Sequence, residues 1–194
     1  MKKINLDTLL NIETNGIDET KEDFHHNRYE ATPYKILDCL IESNYIHKDN
    51  TVLDFGCGKG RVSFYLNYKI GCCTKGVDYN ENLIEIANKN KKNSNFTNVH
   101  FFYSKAESFS ITNEDCFYFF NPFSEQILLS VISNILVSYY ENPRKLLLFF
   151  YYPEEDCISY LMGIDELLCI DEIDCYDLYE KHDDKEVILV FEII

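Results

Sequence analysis

The chain has 194 residues, of which 46% are hydrophobic and 15% aromatic, and it carries a formal charge of −15. That length suits one α/β domain, and that much core material excludes global disorder. The acidic side chains are spread along the chain, and a field of that sign repels a phosphate backbone, so nucleic acid is a less favoured partner except through a local basic groove.

Residues 1–30 are polar and charged, with weak helical spacing at Leu6, Leu9, Leu10 and Ile12, and are expected to form an N-terminal cap or lid on a domain covering 31–194. Thr32-Pro33 is a helix-start signal, followed by Ile36, Leu37, Leu40 and Ile41 at amphipathic spacing. From residue 51 strand and helix patterns alternate. Strands are expected over 51–55, 71–77, 99–103, 115–120 and 145–152, and helices over 61–68, 80–90 and 124–140. Asn80 is a suitable cap for the second of these helices. The fifth strand is nearly unbroken in hydrophobicity, as it is when both faces of a sheet are covered. Two further strands, 168–173 and 186–193, flank the charged stretch 180–185 with no helical pattern between them. The expected fold is α/β: a doubly wound, mostly parallel seven-stranded sheet with helices on both faces and an antiparallel C-terminal hairpin.

The eight cysteines sit mostly inside apolar runs, with no CxxC pair and no Cys/His cluster at zinc spacing. They read as free thiols in a reducing compartment. Residues 1–7 contain no apolar leader core, and the longest apolar run, 146–152, is far too short to span a bilayer. A cytoplasmic location follows as the expectation. His25-His26 suggests no metal site, because adjacent side chains diverge and no third ligand is evident.

In such a sheet, ligands bind beyond the carboxyl ends of the strands, where strand order reverses. The first strand exits into Gly56-Cys57-Gly58-Lys59-Gly60, and an acid, Asp78, ends the second strand at a distance suited to ribose hydroxyls. Glycines there permit a sharp turn and close ligand approach, and the next helix offers unpaired amides. The spacing is GxGxG, whereas a dinucleotide site wants GxGxxG, and Asp54 stands two residues before the first glycine. A carboxylate at this place repels a pyrophosphate and suits the ammonium of an amino-acid tail. S-adenosylmethionine has that ammonium and lacks phosphates.

Residues 52–61, Val-Leu-Asp-Phe-Gly-Cys-Gly-Lys-Gly-Arg, resemble the first motif of class I S-adenosylmethionine-dependent methyltransferases, and Gly76-Val77-Asp78 with the helix after it resembles the second. The resemblance covers roughly residues 50–152, and the terminal hairpin matches the reversed last strand of that family. It implies that Gly56, Gly58 and Gly60 line the methionine end of the cofactor, where Asp54 and Cys57 are expected beside them. It also implies that Asp78 holds the ribose and Tyr79 lies beside the adenine. Lys105 occupies the place where relatives often carry an acid for the adenine amine, so backbone groups near Ala106, or Glu107, are expected to serve instead. Residues 28–34, Arg-Tyr-Glu-Ala-Thr-Pro-Tyr, resemble the aromatic segment that folds over the cofactor; either Tyr29 or Thr32 touches it, or the segment is a plain helix cap.

The fourth strand ends in Asn121-Pro122-Phe123, which resembles the (D/N)PP(Y/F) motif of methyltransferases acting on planar amino groups, with one proline missing. An Asn oxygen with a nearby carbonyl accepts both amine hydrogens and aims the lone pair at the methyl, so orientation supplies much of the acceleration. The plainer alternative is a strand terminator before a helix. The expected activity is methyl transfer to a nitrogen of a protein or small molecule. The competing readings are a catalytically silent S-adenosylmethionine-binding module and an NAD(P)-dependent oxidoreductase.

Overall fold

Strand and helix alternate from residue 51 in a computed structural model that describes residues 5–16, 29–121, 124–178 and 183–194. Two helices precede the sheet, α1 (Leu6–Leu10) and α2 (Tyr34–Glu42), the latter entered through Pro33 as its cap residue. There follow β1 (Thr51–Phe55), α3 (Arg61–Ile70), β2 (Cys73–Asp78), α4 (Glu81–Asn93), β3 (Val99–Tyr103), β4 (Cys116–Phe120), α5 (Glu125–Glu141) and β5 (Leu147–Tyr151). The end is α6 (Glu155–Leu161), β6 (Leu167–Asp174) and β7 (Val187–Ile193). The order in the sheet is β3-β2-β1-β4-β5-β7-β6. The pairs from β3 through β5 are parallel, and β7 is antiparallel to both β5 and β6. The doubly wound architecture with a reversed C-terminal pair is as expected from the alternation of patterns. The helix α6 carries no clear apolar stripe in sequence and was not expected.

Alternate residues of the strands feed two cores. Val52, Cys116, Tyr118, Phe149, Ile188 and Val190 face α2 and α3, which contribute Ile36, Leu37, Leu40, Phe64 and Leu66. The opposite face packs Leu53, Phe55, Phe117, Phe119, Leu148 and Phe150 against Leu128, Val131, Ile132 and Ile135 of α5. Across that face Phe55, Phe119 and Phe150 form a ladder, with ring centroids 5.2 and 4.5 Å apart and planes nearly parallel, and Phe191 closes it edge-on at 5.8 Å. Cross-strand aromatic contacts of this kind fix register, because a one-residue slip would turn every ring to the other face.

The strand order reverses between β1 and β4. The carboxyl ends of β1, β2, β4 and β5, with the start of antiparallel β7, therefore share one crest of the sheet. Among the described residues no helix is long and apolar enough to cross a membrane.

Candidate active site

Asp54 is the penultimate residue of β1, with Gly76 of β2 on one side and Tyr118 of β4 on the other. It is 3% exposed, and its Oδ2 finds no hydrogen-bond partner. Burial, reinforced by the nearby Asp78 carboxylate, holds the Asp54 carboxyl well above the usual carboxylate range. A buried acceptor with nothing to accept from is costly, and a cation or donor placed there removes that cost.

The loop after β1 is tied to β2 by backbone bonds: Gly56 and Cys57 donate to the Val77 carbonyl at 2.9 and 3.1 Å. Asp78 then binds the loop from the side. Its Oδ2 accepts from the Gly58 amide at 2.9 Å and its Oδ1 from the Asn80 amide at 2.8 Å, while Asn80 caps α4 by accepting from Asn82. Asp78 thus fixes the glycine loop and the entry to α4 together, and a carboxylate oxygen has lone pairs for more than one donor. Tyr79 follows it, half-buried. Cys57 is 6% exposed, and burial together with Asp78 and Asp54 pushes its thiol well up, so it is a neutral packing group and no nucleophile.

Gly58 has φ +52°, and a Cβ on it would lie 2.1 Å from the Tyr29 ring. The absence of a side chain therefore lets Tyr29 lie directly against the loop. The Tyr29 hydroxyl donates to the Thr14 carbonyl at 2.6 Å, and the Lys59 ammonium stands 5.0 Å from its ring centroid. Burial pushes the Tyr29 hydroxyl up, so it stays protonated. At Gly60, with φ +90°, a Cβ would meet the Phe101 ring at 2.4 Å. That glycine serves the packing of β3 on the start of α3.

A strap formed by α1 and residues 11–16 is pinned to this loop by Arg61, the first residue of α3. Arg61 donates to Thr14 Oγ1 at 2.8 Å, Asn15 Oδ1 at 2.7 Å and the Thr32 carbonyl at 3.2 Å, and it lies 4.7 Å from the Tyr34 ring centroid. Asp7 stands 3.7 Å from it and accepts from the Thr14 amide and the Tyr34 hydroxyl. Asn90 of α4 donates to the carbonyls of Glu13 and Lys59 and accepts from the Glu13 amide. None of these contacts was read from sequence. The one available signal was an arginine directly after the last loop glycine, where a buried cation needs several acceptors.

Thr32 is brought into the same neighbourhood, but its hydroxyl pairs with Tyr118 at 3.2 Å under the crest. Tyr29, by contrast, faces the loop. At the exit of β3, Ala106 and Glu107 lie in one 3-10 turn (Ala106–Ser108). The Glu107 carbonyl accepts from Asn134 of α5, whereas its buried Oε2 has no partner. Lys105 is exposed. Asn121 follows β4 with φ +38°, and Tyr152 follows β5 with φ +54°. Pro122 and Phe123, and likewise His25 and His26, lie outside the described residues. Among the described residues no cluster of His, Cys, Asp or Glu is suited to a metal.

The residues fit S-adenosylmethionine on two structural grounds. The orphaned Asp54 oxygen suits an ammonium, and Asp54 and Asp78 together oppose a pyrophosphate. Comparison with known proteins agrees. Residues 46–144 match the family described as Methyltransferase domain. A 75-residue segment is 36% identical to the probable S-adenosyl-L-methionine-dependent methyltransferase TehB of Haemophilus influenzae. That segment is 39% of this chain and 25% of that protein, so the match spans a quarter of the relative's length. An rRNA methylase from Streptococcus thermophilus shares the fold at TM-score 0.57 and 16% identity, over 81% of this chain and 92% of that one. A TehB-like methyltransferase from Corynebacterium glutamicum shares it at 0.57 and 17%, over 82% and 86%. The chain belongs to the class I S-adenosylmethionine-dependent methyltransferases, and the matched methyltransferase domain runs from before β1 to just past α5, the region that carries the glycine loop.

Proposed function

We propose that this enzyme methylates a nitrogen, held beside Asn121, of a small molecule or protein. The observation that carries the reading is the place and conformation of Asn121: it leaves β4, the strand that pairs with β1, in left-handed backbone at the crest where the glycine loop turns. Asn tolerates that conformation better than most residues, and it puts a side-chain oxygen and a backbone carbonyl at one half-buried strand end. When bound, the cofactor supplies an electrophilic methyl on a sulfonium. Asn121 accepts the hydrogens of the incoming amine and so orients its lone pair for in-line attack.

In the same reading Asp54 meets the cofactor's ammonium, the loop residues Gly56, Cys57, Gly58 and Gly60 follow its methionine chain, and Asp78 takes the ribose. Tyr79, Ala106 and Glu107 surround the adenine, with the unpartnered Glu107 oxygen as acceptor for its amine in place of the missing acid at 105. Tyr29 covers the methionine end. Thr32 supports the crest through Tyr118. Similarity to an RNA methylase is a likeness of fold, and the charge of −15 opposes a polyanionic acceptor.

Asn121→Ala tests the reading in an assay of labelled methyl incorporation from S-adenosylmethionine into amine acceptors. Loss of orientation lowers kcat by about 100-fold, with cofactor affinity within about twofold of the parent. Equal kcat in parent and variant excludes Asn121 from catalysis.

A further inference from the structure

The crest continues past Asn121 into a nook of aromatic rings and carboxylates. Phe120 and Tyr151 are register partners on β4 and β5, with ring centroids 4.6 Å apart. The residues that follow them are Asn121 and Tyr152. Tyr152 packs edge-on to Tyr151 at 6.0 Å, and its amide donates to the Val187 carbonyl at the start of β7. Because β7 runs antiparallel to β5, the residues just before it come back to this same end. The Tyr151 hydroxyl donates to Glu186 Oε2 at 2.7 Å, and the Tyr152 hydroxyl to Asp183 Oδ2 at 2.8 Å. Each phenol is thereby held in place, with an anion at its rim.

The nook already holds a cation of the chain itself. The Lys185 ammonium stands 5.8 Å from the Tyr152 ring centroid and pairs with Glu154. Quaternary and primary ammonium groups bind to aromatic faces backed by carboxylates through ring quadrupole and charge together. The Glu154–Lys185 pair is itself solvated, and solvated pairs add little, so an incoming cation displaces Lys185 at little cost.

We propose that the Tyr152 ring with the Asp183 and Glu186 carboxylates forms an acceptor subsite for an ammonium group, the buried Tyr151 holding Glu186 in place beneath it, so that the acceptor is a small polyamine-like molecule with a second, charged nitrogen remote from the reacting one. The proposal rests on the reading of Asn121 as the place of the reacting nitrogen. Strand spacing sets β7 about 10 Å from β4, a separation that an extended aliphatic diamine can bridge. A second positive charge also lowers the basicity of the reacting amine, which favours the neutral nucleophile that attack requires.

The test is calorimetric titration of the full chain saturated with S-adenosylhomocysteine, using hexamethylenediamine and hexylamine as probes, alongside labelled-methyl assays with both. The diamine is expected to bind at least about tenfold more tightly than the monoamine, with the difference shrinking as salt rises. The double variant Asp183→Asn, Glu186→Gln is expected to bring the two affinities within about twofold, with S-adenosylhomocysteine affinity reporting its folding. Equal affinities in the parent, failure of the diamine to bind, or a preference that survives the double variant overturns the subsite. A diamine that binds preferentially yet receives no methyl leaves the subsite standing and overturns the transfer to nitrogen at Asn121.

Discussion

The Asp54 carboxyl concentrates the tension of this site in one atom. Its Oδ2 is buried without a partner, and burial together with Asp78 raises its pKa. A carboxyl raised in the folded state binds a proton that the unfolded chain has already released. Its effect on stability is therefore least unfavourable below the ordinary aspartate pKa, near ~3.9, and grows more unfavourable as pH climbs toward the raised value. Asp54→Asn removes that burden, so the ligand-free variant is predicted to melt higher at neutral pH, by about 2–4 °C for each kcal/mol relieved. The same change should weaken S-adenosylmethionine binding by at least about tenfold, the size of one lost charge-assisted contact. In the parent, affinity should rise with pH through the raised Asp54 range, because the ammonium needs the ionised carboxylate. In Asp54→Asn that slope should vanish. A variant that melts lower and keeps the slope would remove Asp54 from this role.

Among the elements, the glycine loop and the N-terminal strap act on each other through Tyr29 and Arg61. Gly58→Ala places a methyl 2.1 Å from the Tyr29 ring on a backbone with φ +52°. Two costs result, a clash and about 1–3 kcal/mol of backbone strain. Tyr29→Ala in the same chain relieves only the clash. Thermal unfolding of the two single variants and the double is thus predicted to be non-additive, with partial rescue; strict additivity would mean that the ring does not rest on the loop. Arg61→Ala leaves Thr14, Asn15 and Asp7 without their shared donor, and is predicted to cost about 2–4 kcal/mol in chemical unfolding. The variant should also release the strap to limited proteolysis. Unchanged protection would show that Asn90 and Tyr29 hold the strap without Arg61.

Much of the strand framework was legible because β1 to β5 are short apolar runs punctuated by Gly, Asn and Pro, and because the helices α4 and α5 carry clear apolar stripes. The seven residues of α6 escaped notice because their acidic first turn hides a stripe too short to show a period. Within the candidate site, Asp54, the glycines and Asp78 stand out in the sequence by their spacing and chemistry. The bond from Asp78 to the loop amide and the packing of Tyr29 on Gly58 do not. Both join residues 20 or more positions apart, 58 with 78 and 29 with 58, and only the fold brings them together. The bonds that pin the strap were illegible for the same reason: Asp7, Thr14, Arg61 and Asn90 are individually ordinary polar residues.

At the scale of the whole molecule, the proposed arrangement places one cofactor between two acids, Asp54 and Asp78, at the reversal point of the sheet, in a protein whose charge of −15 discourages phosphates. Calorimetric titration of the parent, Asp54→Asn and Asp78→Ala with S-adenosylmethionine, and of the parent with NADH, tests this most directly. Saturable 1:1 S-adenosylmethionine binding to the parent, at least about tenfold weaker in each variant, and no heat from NADH are predicted. Tight NADH binding without S-adenosylmethionine binding, or an affinity unchanged in both variants, would contradict it.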